Sequence, residues 1–237
     1  MIPKIIHYCW FGRGPMPELA QHCIESWHHY MPDYEYKLWN EDNFDINEYP
    51  YAKEAYEFKK FAFVSDVARL KALNECGGIY LDVDFKVYKR FDDLLDHSAF
   101  AGIEGSKYNP VMMGVIASES GGKWVREQLD RYRDRHFLID GKPDLTTNVK
   151  FVSDYMCQNG FVCDGSEQDY KDLHVFPLEY FCPRLTTGEY NKTENTYCEH
   201  LGRVSSWTGG SMKSRVLGLL PASWRTRLIL LKRRIFG

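Results

Sequence analysis

Residues 60–88 read KFAFVSDVARLKALNECGGIYLDVDFKVY. Phe63, Val67 and Leu70 recur at helical spacing, and Gly77-Gly78 supplies the residues that end a helix. From Ile79 onward the apolar residues Ile79, Leu81, Val83, Phe85 and Val87 alternate with Tyr80, Asp82, Asp84, Lys86 and Tyr88, the period of a half-buried strand. On such a strand Asp82 and Asp84 share one face with Cα atoms about 6.5 Å apart, and two carboxylates that close repel unless a cation or water lies between them. Oxygen ligands of this kind suit a hard divalent ion, Mg2+ or Mn2+, that keeps positions open for phosphate oxygens. Asp66 and Arg69 are i, i+3 neighbours on the preceding helix. Because helix and strand are joined by so few residues, this pair is expected at the same end of the sheet as the two acids.

Working outward, the sequence predicts a strand over residues 3–9, a helix near 17–30, a strand near 34–39 and helices from about 51 to 75. Beyond the D-x-D segment come apolar runs at 99–103 and 111–117, a helix from about 121 to 135 and another from about 146 to 158. Loops with short strands follow. Alternation of this kind predicts an α/β protein with a central sheet flanked by helices. With 237 residues and 44% hydrophobic content, the chain can bury one substantial core.

Three blocks resemble glycosyltransferase family 32, the sugar transferases with a D-x-D motif, and more distantly the glucosyltransferase domain of the large clostridial toxins. They are IPKIIHYCWFG at residues 2–12, FVSDVARLKALNECGGIYLDVD at residues 63–84, and His200 followed by SSW ending at Trp207. The resemblance implies a GT-A fold with a mixed central sheet, a nucleotide-diphosphate sugar as donor (UDP, following the toxins), a Mn2+ or Mg2+ cofactor and retention of anomeric configuration. By the same resemblance Asp84 ligates the metal, Asp82 touches the donor ribose or the metal through water, and His200 completes the metal shell. Tyr80, Ser65 and Asn109 match positions facing the donor, Trp10 matches an aromatic that stacks on the base, and Asp66 with Arg69 matches the pair gripping the donor sugar. The resemblance also implies that Trp207 with Ser205 or Ser206 holds the leaving phosphate. The last block departs from the toxins, since Gly202 stands where they place a glutamate.

Residues 213–237 hold seven basic side chains and no acid, so a formal charge of −3 for the whole chain leaves −10 on residues 1–212. The basic residues are interleaved with Leu, Ile, Val, Trp and Phe, the mixture of a segment lying on an anionic membrane surface. The division expected is therefore a catalytic domain over 1–212 and a basic amphipathic tail over 213–237. Seven cysteines, an odd number without a C-x-x-C pair, and a start that lacks a signal peptide suggest reduced thiols and a cytoplasmic setting, peripherally attached to the inner face of the membrane. The Asn191-Lys192-Thr193 sequon then carries no glycan. Nucleic acid is excluded as a partner by the acidic body and the lack of a recognised motif.

The function expected is sugar transfer to a glycan acceptor, a lipid-linked oligosaccharide in surface polysaccharide synthesis such as capsule or lipopolysaccharide. Two alternatives are a haloacid-dehalogenase-like phosphohydrolase, in which Asp82 would be the nucleophile, and a non-catalytic glycan-binding protein.

Overall fold

The computed structural model describes residues 1–104, 110–183 and 190–202. Asn109, Ser205, Ser206, Trp207 and the tail lie outside the described residues. The elements run β1 (Ile5–Cys9), α1 (Glu18–Tyr30), β2 (Glu35–Trp39), α2 (Pro50–Glu57), α3 (Phe61–Cys76), β3 (Gly78–Leu81), β4 (Phe85–Val87), β5 (Ala99–Ile103), β6 (Val111–Ser118), α4 (Lys123–Asp130), β7 (Leu138–Ile139), β8 (Lys142–Pro143), α5 (Asn148–Gln158), β9 (Gln168–Tyr170), β10 (Leu173–Phe176) and β11 (Cys198–His200). Among the described residues no helix is long and apolar enough to cross a membrane.

Seven strands form one mixed sheet in the order β2-β1-β3-β6-β5-β10-β9. β1 pairs in parallel with both β2 and β3, whereas β6 runs antiparallel to β3 and β5. Both faces are covered, and the side-chain alternation along each strand sorts residues between them. On β3, Tyr80 joins the core beneath α2, α3, α4 and α5, while Ile79 and Leu81 join the core that holds Trp27 of α1. α1 and α3 therefore pack on opposite faces. The chain steps from β1 out to β2 and returns across to β3, which makes the β1/β3 boundary a switch point, and the carboxyl ends of strands at such a point open into a crevice.

Gly77 and Gly78 have φ of +65° and +111°, which bulkier residues rarely adopt. A Cβ at Gly78 would also come within 2.6 Å of the Ile5 carbonyl oxygen, so glycine is what lets α3 turn directly into β3 against β1. His7, fully buried, fastens this corner: its Nδ1 accepts from Trp39 Nε1 at 3.0 Å and its Nε2–H donates to the Gly77 carbonyl at 2.8 Å. Burial holds that imidazole below its usual pKa, consistent with the neutral tautomer these bonds require.

Three expectations are corrected. The alternating stretch after Ile79 is two strands in two sheets, because Phe85 N–H bonds back to the Asp82 carbonyl at 3.1 Å and the chain turns. β4 then pairs with β11 as a separate ribbon, pinned to α1 where Trp27 Nε1 donates to Phe85 O and Ser26 Oγ accepts from Val87 N. The helix expected to reach residue 135 stops at Asp130. Finally, the cysteines are not all reduced: Cys157 and Cys163 form a disulfide across the end of α5, with Cα atoms 6.2 Å apart, while Cys9, Cys23, Cys76 and Cys198 keep free thiols.

Candidate functional site

Arg69 is the centre of the site. It lies on α3 one turn after Ser65, and its guanidinium is buried where charge is tolerated only with partners. Nε donates to Ser65 O at 3.1 Å and Nη1 to Met113 O at 2.6 Å, fixing the plane. Nη2 then faces two carboxylates, Asp66 at 3.1 Å and Asp82 at 3.4 Å. The guanidinium also stands 4.6 Å from the centre of the Tyr80 ring, and the Tyr80 hydroxyl donates to Asp82 Oδ1 at 2.7 Å. Ser65, Asp66, Arg69, Tyr80 and Asp82 are thus brought together, as the short α3–β3 link leads one to expect.

Asp66 is 6% exposed, and burial pushes its carboxyl up to about 7 despite the opposing pull of Arg69. Asp82 is different, its side chain 32% exposed at the end of β3. Its backbone N–H donates to Gly114 O at 2.8 Å, which extends the β3–β6 pairing to the edge of the sheet. Gly114 is small for a reason: a Cβ there would fall 2.5 Å from the Phe85 ring and 2.9 Å from Asp82 Oδ2.

Asp84 does not share a strand face with Asp82. It lies within the turn, buried, and its Oδ2 is 3.3 Å from His200 Nε2. Pairing of β4 with β11 sets His200 opposite Phe85, and the two rings stack with centroids 4.6 Å apart. Leu201 N–H donates to the Asp84 carbonyl at 2.9 Å and closes the contact. Burial alone would lower the His200 pKa, but Asp84, Asp82 and Glu104 together outweigh it and hold the imidazole above its usual value.

Glu104 is the residue the sequence reading misses. It follows β5, is held where its N–H donates to Pro110 O at 2.8 Å, and its carboxyl is raised by burial first and by the nearby Asp82 and Asp84 charges. No motif marks it, since only the β3-β6-β5 order brings the end of β5 toward Asp82.

Trp10 stands just past the carboxyl end of β1, the strand beside β3, and its indole N–H donates to Gly14 O at 2.6 Å. Glu41 accepts from Gly12 N–H and from the Tyr56 hydroxyl, which organises the loop after Trp10. The Ser65 hydroxyl folds back to donate to Phe61 O at 3.2 Å.

Two carboxylates and an imidazole form a donor set whose chemistry suits a divalent ion. Among the described residues, no three His, Cys, Asp or Glu side chains are already drawn into a cage around one point. Asp82 leans on Arg69 and Tyr80, while Asp84 and His200 lean on each other. The arrangement places positive charge and hydrogen-bond donors behind acids at the end of β3.

Residues 17–101 match the model of the glycosyltransferase sugar-binding region containing DXD motif. The chain is 35% identical over 103 residues to inositol phosphoceramide mannosyltransferase 3 of Schizosaccharomyces pombe, covering 42% of this chain and 29% of that protein. It is 34% identical over 108 residues to a mannosyl phosphorylinositol ceramide synthase of Saccharomyces cerevisiae, covering 42% and 27%. The chain thus spans less than a third of the length of these curated relatives. Among solved structures, a glycosyltransferase involved in the glycosylation of the major capsid of PBCV-1 is similar with a TM-score of 0.50 and 13% identity, covering 86% of this chain and 96% of that one. That likeness shows the fold, a GT-A arrangement with a mixed seven-stranded sheet between helices.

Proposed function

We propose that this chain, whose residues 17–101 carry the DXD-motif sugar-binding region of glycosyltransferases on a GT-A fold, moves a sugar from a nucleotide-diphosphate donor to a glycan acceptor. The observation that carries the reading is the buried Arg69 clamped between Asp66 and Asp82, with an Asp84–His200 pair in the turn and ribbon that follow β3. In this reading Asp66 accepts hydrogen bonds from donor-sugar hydroxyls. Arg69 orients Asp66 and Asp82 and offers positive charge toward the diphosphate. Trp10 stacks on the base, and Ser65, Tyr80 and Asn109 complete the donor side. Ser205, Ser206 and Trp207 are proposed to hold the leaving phosphate.

Asp84, Asp82 and His200 would hold Mn2+ or Mg2+, which when bound supplies positive charge against the diphosphate leaving group, worth several kcal/mol. Attack by the acceptor hydroxyl on the face from which the diphosphate departs gives retention, the stereochemistry suggested by the resemblance to family 32. The base is proposed to be uracil on the resemblance to the toxin domain, and the relatives' names put mannose donors beside UDP-sugars in any test.

The acceptor proposed is lipid-borne. The basic, apolar tail supports an anionic membrane surface as partner, and relatives named for inositol phosphoceramide point the same way. A lipid-linked oligosaccharide in capsule or lipopolysaccharide synthesis fits this description, with the enzyme on the cytoplasmic face and its catalytic domain ending near residue 212. Against that compartment stands the Cys157–Cys163 disulfide, which favours an oxidising one. Mass spectrometry after alkylation in intact cells decides: both thiols blocked supports the cytoplasmic face, and an unreactive pair refutes it.

The test of the function is a melting series with UDP-glucose, UDP-galactose and GDP-mannose, with and without Mn2+, followed by product analysis. One donor should raise Tm only with the metal, since binding to the folded state stabilises by mass action. Asp84→Ala should abolish that shift and lower transfer by at least about 100-fold while leaving the circular dichroism unchanged. A chain indifferent to all three donors, or one releasing phosphate from simple esters, would be something else.

A further inference from the structure

Asp66 is anchored by Arg69 through one nitrogen, and the charge of Arg135 also acts on it. Tyr51 from the first turn of α2, Tyr132 just past α4, and Arg135 three residues later come together from elements distant in sequence, within the electrostatic reach of Asp66. The Tyr51 and Tyr132 rings meet edge-on with centroids 5.1 Å apart. The Arg135 guanidinium lies 4.6 Å from the centre of the first ring and 5.3 Å from that of the second. Its Nη2 donates to Asp144 at 3.0 Å.

Three polar atoms of this cup, the Tyr51 and Tyr132 hydroxyls and Arg135 Nη1, are sealed from solvent and have no hydrogen-bond partner among the described residues. Both tyrosines are fully buried. Phenylalanine would pack as well at both positions without the penalty of an unpaired buried hydroxyl. Three such atoms on side chains that touch one another point to a shared explanation. Burial is the main cause that raises both phenols, and the Asp66 carboxylate is the next for each, so the hydroxyls stand within its field. Arg135 acts on Asp66 with the opposite sign. A partner that satisfies several buried groups at once and fits between side chains is ordered water.

We infer that Tyr51, Tyr132 and Arg135 hold ordered water against Asp66 and thereby position its carboxylate for the hydroxyls of the donor sugar. They are positioning residues, acting through Asp66 and not on the reacting atoms. The inference rests on the reading of Asp66 as a holder of the donor sugar, and it adds what decides the direction in which that acid points.

The experiment is calorimetric titration of the full chain in Mn2+ with whichever of UDP-glucose, UDP-galactose or GDP-mannose it binds, beside UDP or GDP alone. Tyr51→Phe and Tyr132→Phe should each keep the affinity for the diphosphate and lose about fivefold in the extra affinity conferred by the sugar, the worth of a water-mediated contact. Added to Asp66→Asn, either change should cost nothing further, because the coupled residue is already gone. An unchanged sugar increment, or full additivity with Asp66→Asn, overturns the proposal. Melting without ligand tests the water separately: a lowered Tm in the Phe variants supports bonded hydroxyls, whereas a raised Tm overturns it. If one variant does not fold, the other carries both measurements. An unaltered chain that binds nucleotide sugars no better than their diphosphates refutes the proposed function and the positioning role together, while the melting result still decides whether the hydroxyls are bonded.

Discussion

At the scale of single residues, the site depends on Arg69 because no other side chain can satisfy its partners. A planar guanidinium reaches Ser65 O, Met113 O, Asp66 and Asp82 simultaneously, and a lysine ammonium has neither the donors nor the fork to do so. Arg69→Lys should therefore destabilise the fold by about 2–4 kcal/mol in urea denaturation, as a partly unpaired buried charge does, and abolish donor binding. An equally stable, active lysine variant would show that the clamp is not needed. For His200 the sign follows from its neighbours. Carboxylates raise its pKa, so the proton must leave before its nitrogen can ligate, and Mn2+ affinity should strengthen as pH rises through the neutral range. His200→Ala should flatten that dependence in a calorimetric pH series. By linkage, the raised pKa contributes stability that is fully present below the ordinary imidazole pKa and lost as pH rises past the elevated one. Of the residues in this network, Asp66, Arg69, Asp82 and Asp84 were legible because they lie within 19 positions of one another. Glu104, Tyr51 and Tyr132 were not, since a lone acid or tyrosine carries no spacing that marks it.

At the scale of elements, close approach of strands makes small residues decisive. Gly114 sits where β6 passes under the turn carrying Asp82, and an added methyl meets both Phe85 and the Asp82 carboxylate. Gly114→Ala should cost about 1–3 kcal/mol through overpacking and lower transfer more than stability alone explains, because it displaces Asp82. Wild-type turnover in that variant would mean the turn can shift freely. The disulfide at the end of α5 closes a short loop, six residues in separation, and should stabilise by about 2 kcal/mol on the chain-entropy account. Reduction should lower Tm by a few degrees, checked by melting with and without dithiothreitol. Helix and strand periods revealed most elements to within a few residues. They failed at residues 82–84, where an alternating pattern was maintained across a turn: Val83 in the turn and Phe85 and Val87 in another sheet face the same apolar core as Leu81, so burial preserves the period after the strand has ended.

At the scale of the whole molecule, the opposition between an acidic body and a basic, apolar tail leads to an expectation of its own. A chain ending at residue 212 should lose sedimentation with anionic liposomes, while the full chain pellets in low salt and is released as ionic strength rises. Equal sedimentation of both would remove the tail from the account of membrane attachment. The sequence by itself determined the α/β alternation, the helix–glycine–strand corner and the Asp66–Arg69–Asp82 association, because each is set by local periods and a short covalent link. Only the tertiary structure decided that the strand gives way to a turn between Asp82 and Asp84, that His200 reaches Asp84 from 116 residues away, and that Tyr51, Tyr132 and Arg135 meet in one cup. Those contacts come from strand order and helix packing, which depend on how whole faces are buried, and no spacing along the chain encodes them.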